Sequence, residues 1–277
     1  SEMCIRDRSR TRIAGISAEN YPELPAMPDP VAEFPLLTLA ALINRTSFAI
    51  SLEDSRFSLG GALLIVKEQS LAMVSTDGHR LAYAESAGAL PGLRGSYRAL
   101  VPRKAMDELR KLAQDADPEV MVRFAGDENH LFFQTGGRLF VSRRLSGNFP
   151  DFERVLPKEH PYSVTLSRED FRNAVQRVQV FSDERSRAVR LQVGPGELKI
   201  HSSLSEAGES EESIPAEYEG PTVDVTFNAH YLTDFLRAVS NEKVAFQFRD
   251  REAAGEFNPS GEPADFLYRY IVMPMRV

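Results

Sequence analysis

The chain has 277 residues, 42% of them hydrophobic and 26% charged, which is the balance of a soluble globular protein with room for about two domains. The formal net charge of -7 argues against a protein that coats nucleic acid over its whole surface, although a single basic face is compatible with it. The one cysteine, Cys4, excludes a disulfide framework and a cysteine-built zinc site, and the lack of a membrane-span or secretion signal leaves the cytoplasm as the expected location.

The N-terminal segment is unlike the rest of the chain. Residues 1–8 show no periodicity and no helix cap, which fits either a cloning or sequence-assembly remnant or a disordered tail. A short strand is predicted over 11–16, and it is followed by an extended linker that contains Pro22, Pro25, Pro28 and Pro30. Because this strand has no predicted partner, we interpret residues 1–32 as the remnant of a domain that lies upstream.

Helical spacing of apolar residues begins after Pro35, with Thr38 as the candidate N-cap, and a second helix is predicted over about 102–113. A loop is predicted over 92–95, and Gly136-Gly137 form a hairpin turn. Alternating apolar residues predict six strands in this half of the chain, over 59–66, 71–76, 80–86, 120–124, 130–135 and 138–145.

The same order of elements recurs in the second half. Helices are predicted over 168–181 and 229–239. The strands of this half are predicted over 162–166, 187–193, 198–203, 223–227, 244–249 and 267–273. An overlay places Met106 and Leu109 on Leu232 and Phe235, and residues 120–122 on 244–246.

This repeat predicts an α+β chain of tandem like domains, each with two helices packed on antiparallel sheets. Each domain is itself a doubled strand–helix–strand–strand–strand unit. We place the central domain at 33–147, the interdomain linker at 148–160 and the C-terminal domain at 161–277.

Asp77 and His79 fit either a base with its orienting carboxylate or a pair of metal ligands. The favoured alternative is a turn that Asp77 and Gly78 provide between two strands. None of the five histidines has a partner at metal-ligand spacing, and no nucleophile elbow, phosphate-binding glycine loop or His-Glu-x-x-His occurs. We therefore assign no catalytic residue, metal or cofactor.

Two further patterns leave alternatives open. The apolar chain end at 270–277 fits either a core strand or the lip of a groove, since methionine suits surfaces that accept varied partners. Basic residues concentrate on the predicted helices, whereas acidic residues cluster at 206–212 and 217–219. The basic helices fit either a solvated face or a side that faces a polyanion, and no aromatic platform for single strands accompanies them.

Five segments together resemble the beta subunit of bacterial DNA polymerase III, the sliding clamp family: 59–61, 75–82, 101–104, 148–157 and 272–277. The run Thr-Asp-Gly-His-Arg-Leu and the Met-Pro-Met-Arg ending are the most specific, and the resemblance extends over about 10–277. A clamp subunit has three like domains, so the resemblance implies that the second and third are present. Residues 10–20 look like the closing strand of the first, either in a truncated chain or in a natural clamp-like adaptor.

The resemblance implies a non-catalytic processivity factor of the replicative polymerase. Two full-length subunits form a head-to-tail homodimer ring around double-stranded DNA, which they contact without sequence specificity. Without the first domain, we do not expect the ordinary closed dimer to form. The positions that the resemblance implies to face DNA are Arg45, Arg56, Phe57, Arg103, Lys104, Arg172, Arg177 and Arg237. Phe57-Ser58 depart from the adjacent aromatics that the family often has there.

The resemblance also implies a pocket that docks peptides of the polymerase III alpha subunit, the clamp loader and other proteins with a clamp-binding motif. The matching positions are Leu59, Thr76, Gly78, His79, Arg80, Leu81, Pro150, Arg154, Val155, Ile271, Val272, Met273, Pro274, Met275 and Arg276. We expect the apolar walls to be Leu59, Leu81, Val155, Val272, Met273 and Met275. We expect a polar rim of His79, Arg80, Arg154 and Arg276.

Overall fold

A computed structural model describes residues 3–6, 9–17, 19, 21, 23, 25–53, 55–88, 90, 93, 96–204, 208–261 and 266–276. Several positions with sequence-based predictions lie outside the described residues: 1–2, 7–8, Pro22, most of the loop at 92–95, Glu206 and Val277.

The described residues form eighteen strands and four α-helices. The N-terminal part and the first repeat contain β1 (Met3–Arg6), β2 (Ser9–Arg12), β3 (Ala32–Pro35), α1 (Leu36–Thr46), β4 (Gly61–Lys67), β5 (Ser70–Thr76), β6 (Arg80–Ala87), β7 (Tyr97–Pro102), α2 (Arg103–Leu112), β8 (Met121–Gly126), β9 (His130–Thr135) and β10 (Arg138–Arg143). The second repeat contains β11 (Tyr162–Ser167), α3 (Arg168–Val178), β12 (Ala188–Gly194), β13 (Glu197–Leu204), β14 (Gly208–Glu217), β15 (Val223–Asn228), α4 (Ala229–Ala238), β16 (Lys243–Phe248), β17 (Gly255–Ser260) and β18 (Leu267–Val272).

After β2, the order strand–helix–strand–strand–strand occurs four times, which confirms the predicted doubling within each of two like domains. The helix overlay is also confirmed, since α2 and α4 occupy corresponding places. The strand overlay is wrong by two residues. Phe34 of β3 lies opposite Val122, and Leu166 of β11 lies opposite Val244, so Val122 is the counterpart of Val244.

Antiparallel pairing joins the two repeats into one sheet. Twelve strands run in the order β15-β12-β13-β14-β11-β16-β17-β18-β6-β5-β4-β7, and a second sheet has the order β10-β9-β8-β3. The junction is β18 against β6, where Tyr270 lies opposite Ala82. Since this pairing links distant parts of the chain, it places the end of the second repeat beside the start of β6 in the first.

The sequence patterns missed several strands. β14 has the sequence Gly-Glu-Ser-Glu-Glu-Ser-Ile-Pro-Ala-Glu and looks like a solvated acidic loop, but it pairs with β13 along eight residues. β17 contains Asn258-Pro259, which disfavours a strand, and β7 follows glycine-rich sequence. At the N-terminus the strand covers Ser9–Arg12 rather than 11–16, and it pairs with β1 instead of lacking a partner.

The helices begin in two ways. Pro35 and Pro102 precede α1 and α2 without a side-chain cap, so the prediction that Thr38 caps α1 is wrong. Ser167 and Asn228 cap α3 and α4 through side-chain oxygens that accept backbone N–H groups. None of the four helices in the described part of the chain is long and apolar enough to cross a lipid bilayer.

Two apolar cores lie on opposite faces of the large sheet. The main core holds the buried faces of all four helices, and α1 contacts both α2 and α4. Aromatic rings fill its C-terminal part, where a Cβ on Gly255 would come within 2.8 Å of Phe227 and Phe246. The smaller core contains Leu81 and Ile271 and is covered by linker residues such as Phe152. The linker and the helices therefore occupy different faces of the sheet.

Candidate functional site

The turn between β5 and β6 is organised by the Asp77 carboxylate. Its Oδ1 accepts the backbone N–H groups of His79 at 2.9 Å and Arg80 at 3.0 Å. Thr76 Oγ1 donates to the Arg80 carbonyl at 2.6 Å and accepts the Gly78 N–H at 3.1 Å. Gly78 has a φ of +93°, which favours glycine. The predicted turn is therefore confirmed, and Asp77 is used to build it.

The Arg80 side chain points into the protein, with only 10% of it exposed, so its predicted place on a polar rim is wrong. Its Nε donates to Asp77 Oδ2 at 3.0 Å, Nη1 to Asp234 Oδ2 at 2.7 Å and Nη2 to the Phe48 carbonyl at 2.6 Å. Burial opposes the charge, but Tyr270 and the two carboxylates outweigh it and raise the pKa of Arg80 above its ordinary value. Arg80 is therefore a charged interior residue.

The C-terminal tail leaves β18 beside this turn. The Met273 N–H donates to the His79 carbonyl at 2.9 Å, and the Met275 N–H donates to the Thr226 carbonyl of β15 at 2.8 Å. The tail thus runs from the turn toward β15 with its backbone fixed at both points. The Met273 side chain is 46% exposed, so it offers a flexible apolar surface to solvent.

The linker approaches the same region from the sheet face opposite the helices. Residues 152–154 form one 3₁₀ turn, and the buried Phe152 ring stacks on Tyr83 of β6 with the ring centroids 5.7 Å apart. Val155, immediately after this turn, is 45% exposed. The turn, the tail and the linker therefore meet around the first residues of β6, as the resemblance implies.

The predicted pocket residues, apart from Arg80, divide by exposure. Leu59, Thr76, Leu81, Ile271 and Val272 are buried, whereas Gly78, His79, Pro150, Arg154, Val155, Met273, Pro274, Met275 and Arg276 are exposed or half-buried. Val272 belongs to the main core with Tyr268 and Tyr270, so its predicted role as a pocket wall is wrong. The reason is strand alternation, which turns Ile271 toward the linker and Val272 toward the helices. Leu81 and Ile271 lie beneath the surface as a floor.

A groove of about 460 Å³ lies between the loop before β4 and the linker. It is lined by Ser55, Arg56, Phe57, Ser58, Leu59, Ser146, Gly147 and Pro150. Arg56 Nη1 donates to the Asp77 carbonyl at 2.8 Å, and the Phe57 side chain is 75% exposed. Arg56 and Phe57, predicted to face DNA, are therefore placed beside the pocket turn.

Basic side chains outnumber acidic ones on the helices, unlike in the chain as a whole. Together α1 to α4 contain nine basic and five acidic side chains, whereas the whole chain contains 33 basic and 40 acidic ones. The helical side is thus net positive and the remainder is strongly negative, as the sequence pattern predicts.

The basic side chains on the helices are not equally available. Arg103, Lys104 and Arg237 are exposed and make no side-chain ion pair with any residue that the structure describes. The Arg45 guanidinium lies over the Phe266 ring, 4.1 Å from its centroid. The first three side chains therefore keep free donors for an anionic partner.

Two other predicted DNA-facing residues are held by carboxylates. Arg172 Nη2 donates to Glu169 at 2.6 Å, and Arg177 Nη2 donates to Glu212 of β14 at 2.6 Å. The Glu212 carboxylate also raises the pKa of Arg177. Any anionic ligand has to compete with these intramolecular partners.

Comparisons with known proteins agree with this geometry. A family model described as the DNA polymerase III beta subunit, central domain, matches residues 33–151, and the model for its C-terminal domain matches 153–276. The beta sliding clamp of Pseudomonas putida KT2440 is 36% identical over 271 residues, which cover 98% of this chain and 72% of that protein. The chain belongs to the beta sliding clamp family. The clamp of Escherichia coli K12 is 32% identical, with 99% of this chain and 74% of that one covered.

Solved clamps share the fold. The DNA polymerase III beta subunit of Pseudomonas aeruginosa has a TM-score of 0.90 at 32% identity, with 99% of this chain and 77% of that chain covered. A sliding clamp from the same organism, bound to griselimycin, has a TM-score of 0.90 at 34% identity, with coverage of 98% and 72%. The predicted family and α+β clamp fold are confirmed.

This clamp-family chain also contains a buried latch that the sequence did not predict. Glu256 is 2% exposed, accepts Nε and Nη2 of Arg269 at 2.6 Å each, and lies 2.8 Å from His160 Nε2. Burial opposes ionisation of Glu256, but Arg269 and His160 hold its pKa below the ordinary value. Arg269 also donates to the Pro157 carbonyl at 2.7 Å, so the latch fixes the linker to the second repeat.

The latch borders a groove of about 1360 Å³ between the linker, the loop at 239–243 and β16 to β18. No sequence motif predicts it, because its walls come together only through the pairing of distant strands. Among the described residues, no group of three or more His, Cys, Asp or Glu side chains is placed to hold a metal ion.

Proposed function

We propose that this chain is part of a non-catalytic processivity factor, whose full-length form encircles duplex DNA as a ring and which docks the polymerase, the clamp loader and repair proteins through one peptide pocket. The observation that carries this proposal is the convergence of three distant segments, the turn at 76–80, the linker at 150–156 and the tail at 273–276. Together the three segments present both exposed polar groups and exposed or half-buried apolar groups, which a peptide-binding surface requires.

The pocket combines an apolar surface with polar groups at its edge. Met273, Met275 and Val155 provide half-buried or exposed apolar atoms above the floor of Leu81 and Ile271. His79, Arg154 and Arg276 are exposed and supply polar contacts around these atoms. A few apolar anchors of a partner peptide would carry most of the binding free energy.

The exposed basic side chains on the helices suit a partner that the clamp binds without fixing it at one position. Arg103, Lys104 and Arg237 attract phosphates without reading bases, and such contacts weaken steeply with salt. This supports sequence-independent contact with duplex DNA. The acidic remainder of the molecule favours a contact that is restricted to this one side.

The enzyme hypothesis finds little support in the geometry. The Asp77 carboxylate is occupied by the His79 and Arg80 N–H groups and by the Arg80 guanidinium. It therefore holds the backbone of its own turn instead of orienting the His79 ring. A catalytic activity of the parent chain that is lost in His79→Ala would support the enzyme hypothesis.

We also propose the division into a central domain (33–147), a linker (148–160) and a C-terminal domain (161–277). It is supported by the strand–helix–strand–strand–strand unit, which occurs four times. The second copy ends with β10 and the third begins with β11. The single cysteine and a role in replication support a cytoplasmic location.

Calorimetric titration with griselimycin tests the pocket. We expect the chain to bind it, and Met273→Ala and His79→Ala to weaken binding about tenfold or more, a loss of about 1.4 kcal/mol each. Met121→Ala is the matched control, because Met121 is similarly exposed (39%) but lies on β8 in the other sheet. Absence of binding, or equal losses for Met273→Ala and Met121→Ala, would contradict the proposed pocket.

A further inference from the structure

Arg80 lies where the parts of the pocket join. It is the first residue of β6, its backbone closes the turn, and it pairs with Val272, the last residue of β18. Its side chain crosses to the helix face of the sheet, where the guanidinium lies 4.3 Å from the centroid of the Tyr231 ring of α4. Arg80 therefore connects the pocket to a helix of the second repeat.

A continuous set of polar contacts runs through this residue. The Asp234 carboxylate of α4 holds Arg80 Nη1 at 2.7 Å, and Arg80 Nε holds the Asp77 carboxylate at 3.0 Å. The same Asp77 carboxylate fixes the His79 N–H, and the His79 carbonyl accepts the Met273 N–H of the tail. Each contact fixes the next group, from α4 to the tail.

Asp234 itself is not one of the predicted pocket residues. It lies on α4, which packs in the main core, whereas the linker wall covers the smaller core on the other face. Without the Asp234 carboxylate, the one hydrogen-bond partner that Arg80 Nη1 retains among the described residues is the Tyr270 hydroxyl at 3.5 Å. A guanidinium that is 10% exposed has little water to replace the lost partner, so it must move toward another acceptor.

We propose that the Arg80–Asp234 ion pair is a positioning device for the peptide pocket: it holds the turn and the root of the tail in the arrangement that accepts a ligand. Arg80 and Asp234 are positioning residues and need not touch the ligand. The inference rests on the proposed function, because it assigns a cause to the affinity of that same pocket.

Griselimycin titration of the 277-residue chain tests the pair. We expect Asp234→Asn to weaken binding about fivefold or more, because the neutral amide no longer holds the guanidinium. Asp234→Glu keeps a carboxylate and is expected to restore binding to within about threefold of the parent chain. Such rescue separates positioning from a general loss of stability.

Two controls complete the design. Asp107→Asn removes an exposed helix pair with Arg110 (3.3 Å), and Val122→Ala destabilises the main core at a fully buried site on β8, in the other sheet. Both are expected to bind within about twofold of the parent chain, since distant sites act independently. Thermal unfolding of every variant reports the stability change separately.

The outcomes are distinct. If the parent chain does not bind griselimycin, the proposed function fails. If it binds and Asp234→Asn binds equally well, or if Val122→Ala weakens binding as much as Asp234→Asn, the positioning role is overturned while the pocket stands. Should Asp234→Asn not fold, Arg80→Lys takes its place, because lysine keeps the charge but cannot reach all three acceptors at once. The same fivefold threshold then applies.

Discussion

Replacing Glu256 with Gln removes the charge at the centre of the buried latch while keeping its shape. In the native chain the carboxylate accepts two hydrogen bonds from Arg269 at 2.6 Å each. It also lies 2.8 Å from His160 Nε2. The Glu256 side chain is 3% exposed, that of His160 is 11% exposed and that of Arg269 is 24% exposed. The substitution therefore leaves two basic groups facing a neutral amide with little water.

Breaking a fully buried ion pair costs about 3–5 kcal/mol of unfolding free energy. Because nearly a quarter of the Arg269 side chain is exposed, water recovers part of this loss. We therefore expect Glu256→Gln to cost about 2–3 kcal/mol at neutral pH. The matched control is Glu217→Gln, whose partner Lys243 is at a similar distance (2.6 Å) but at an exposed site, and we expect it to cost less than about 1 kcal/mol.

The cost should depend on pH with a definite sign. The pKa of Glu256 in the folded chain lies below its ordinary value of 4.5, so its contribution is fully present above about pH 5. It is lost as the pH falls through the lowered folded-state pKa. Urea denaturation of the parent chain and both variants, at pH 7 and at steps toward pH 3, measures this. A cost below about 1 kcal/mol at pH 7, or one that persists unchanged in acid, would contradict a stabilising role of the ionised Glu256 carboxylate.

Three other changes have expected outcomes. Gly61→Ala should lower the unfolding free energy by about 1–3 kcal/mol in urea denaturation, because its Cβ would overlap the Val101 carbonyl oxygen; an unchanged midpoint would contradict this. The double charge reversal Arg103→Glu/Lys104→Glu should weaken binding to a short DNA duplex and reduce the slope of log affinity against log salt by about 2. Arg177→Ala should change the same affinity less than about twofold, since Glu212 already holds its guanidinium; a loss as large as that of the double variant would be inconsistent with this.

Local patterns predicted much of the fold. Apolar spacing located the four helices to within a few residues, and the Asp-Gly turn was correct because the side chain and the positive φ are local properties. The internal repeat was also visible, since like units place apolar residues at like positions. β14 and β17 were missed because their residues are polar or contain proline, and only pairing with neighbouring strands makes them extended.

The candidate site was predicted in its segments but less well in its side chains. Strand alternation along Tyr270, Ile271 and Val272 is a signal that would have placed Val272 in the core. No comparable signal exists for the interior position of Arg80. Its partners Asp234 and Phe48 are distant from it in sequence: the pairing of β18 with β6 brings Asp234 of the second repeat close, and the packing of the first repeat brings Phe48 close.

The most direct test of the docking pocket is hydrogen–deuterium exchange with and without griselimycin. We expect slower exchange in all three pocket segments, the turn at 76–80, the linker at 150–156 and the tail at 273–276. No change is expected in β8, which lies in the other sheet. Protection confined to the groove around 239–243 and 256–261, with the turn and tail unchanged, would contradict a docking surface built from these three segments.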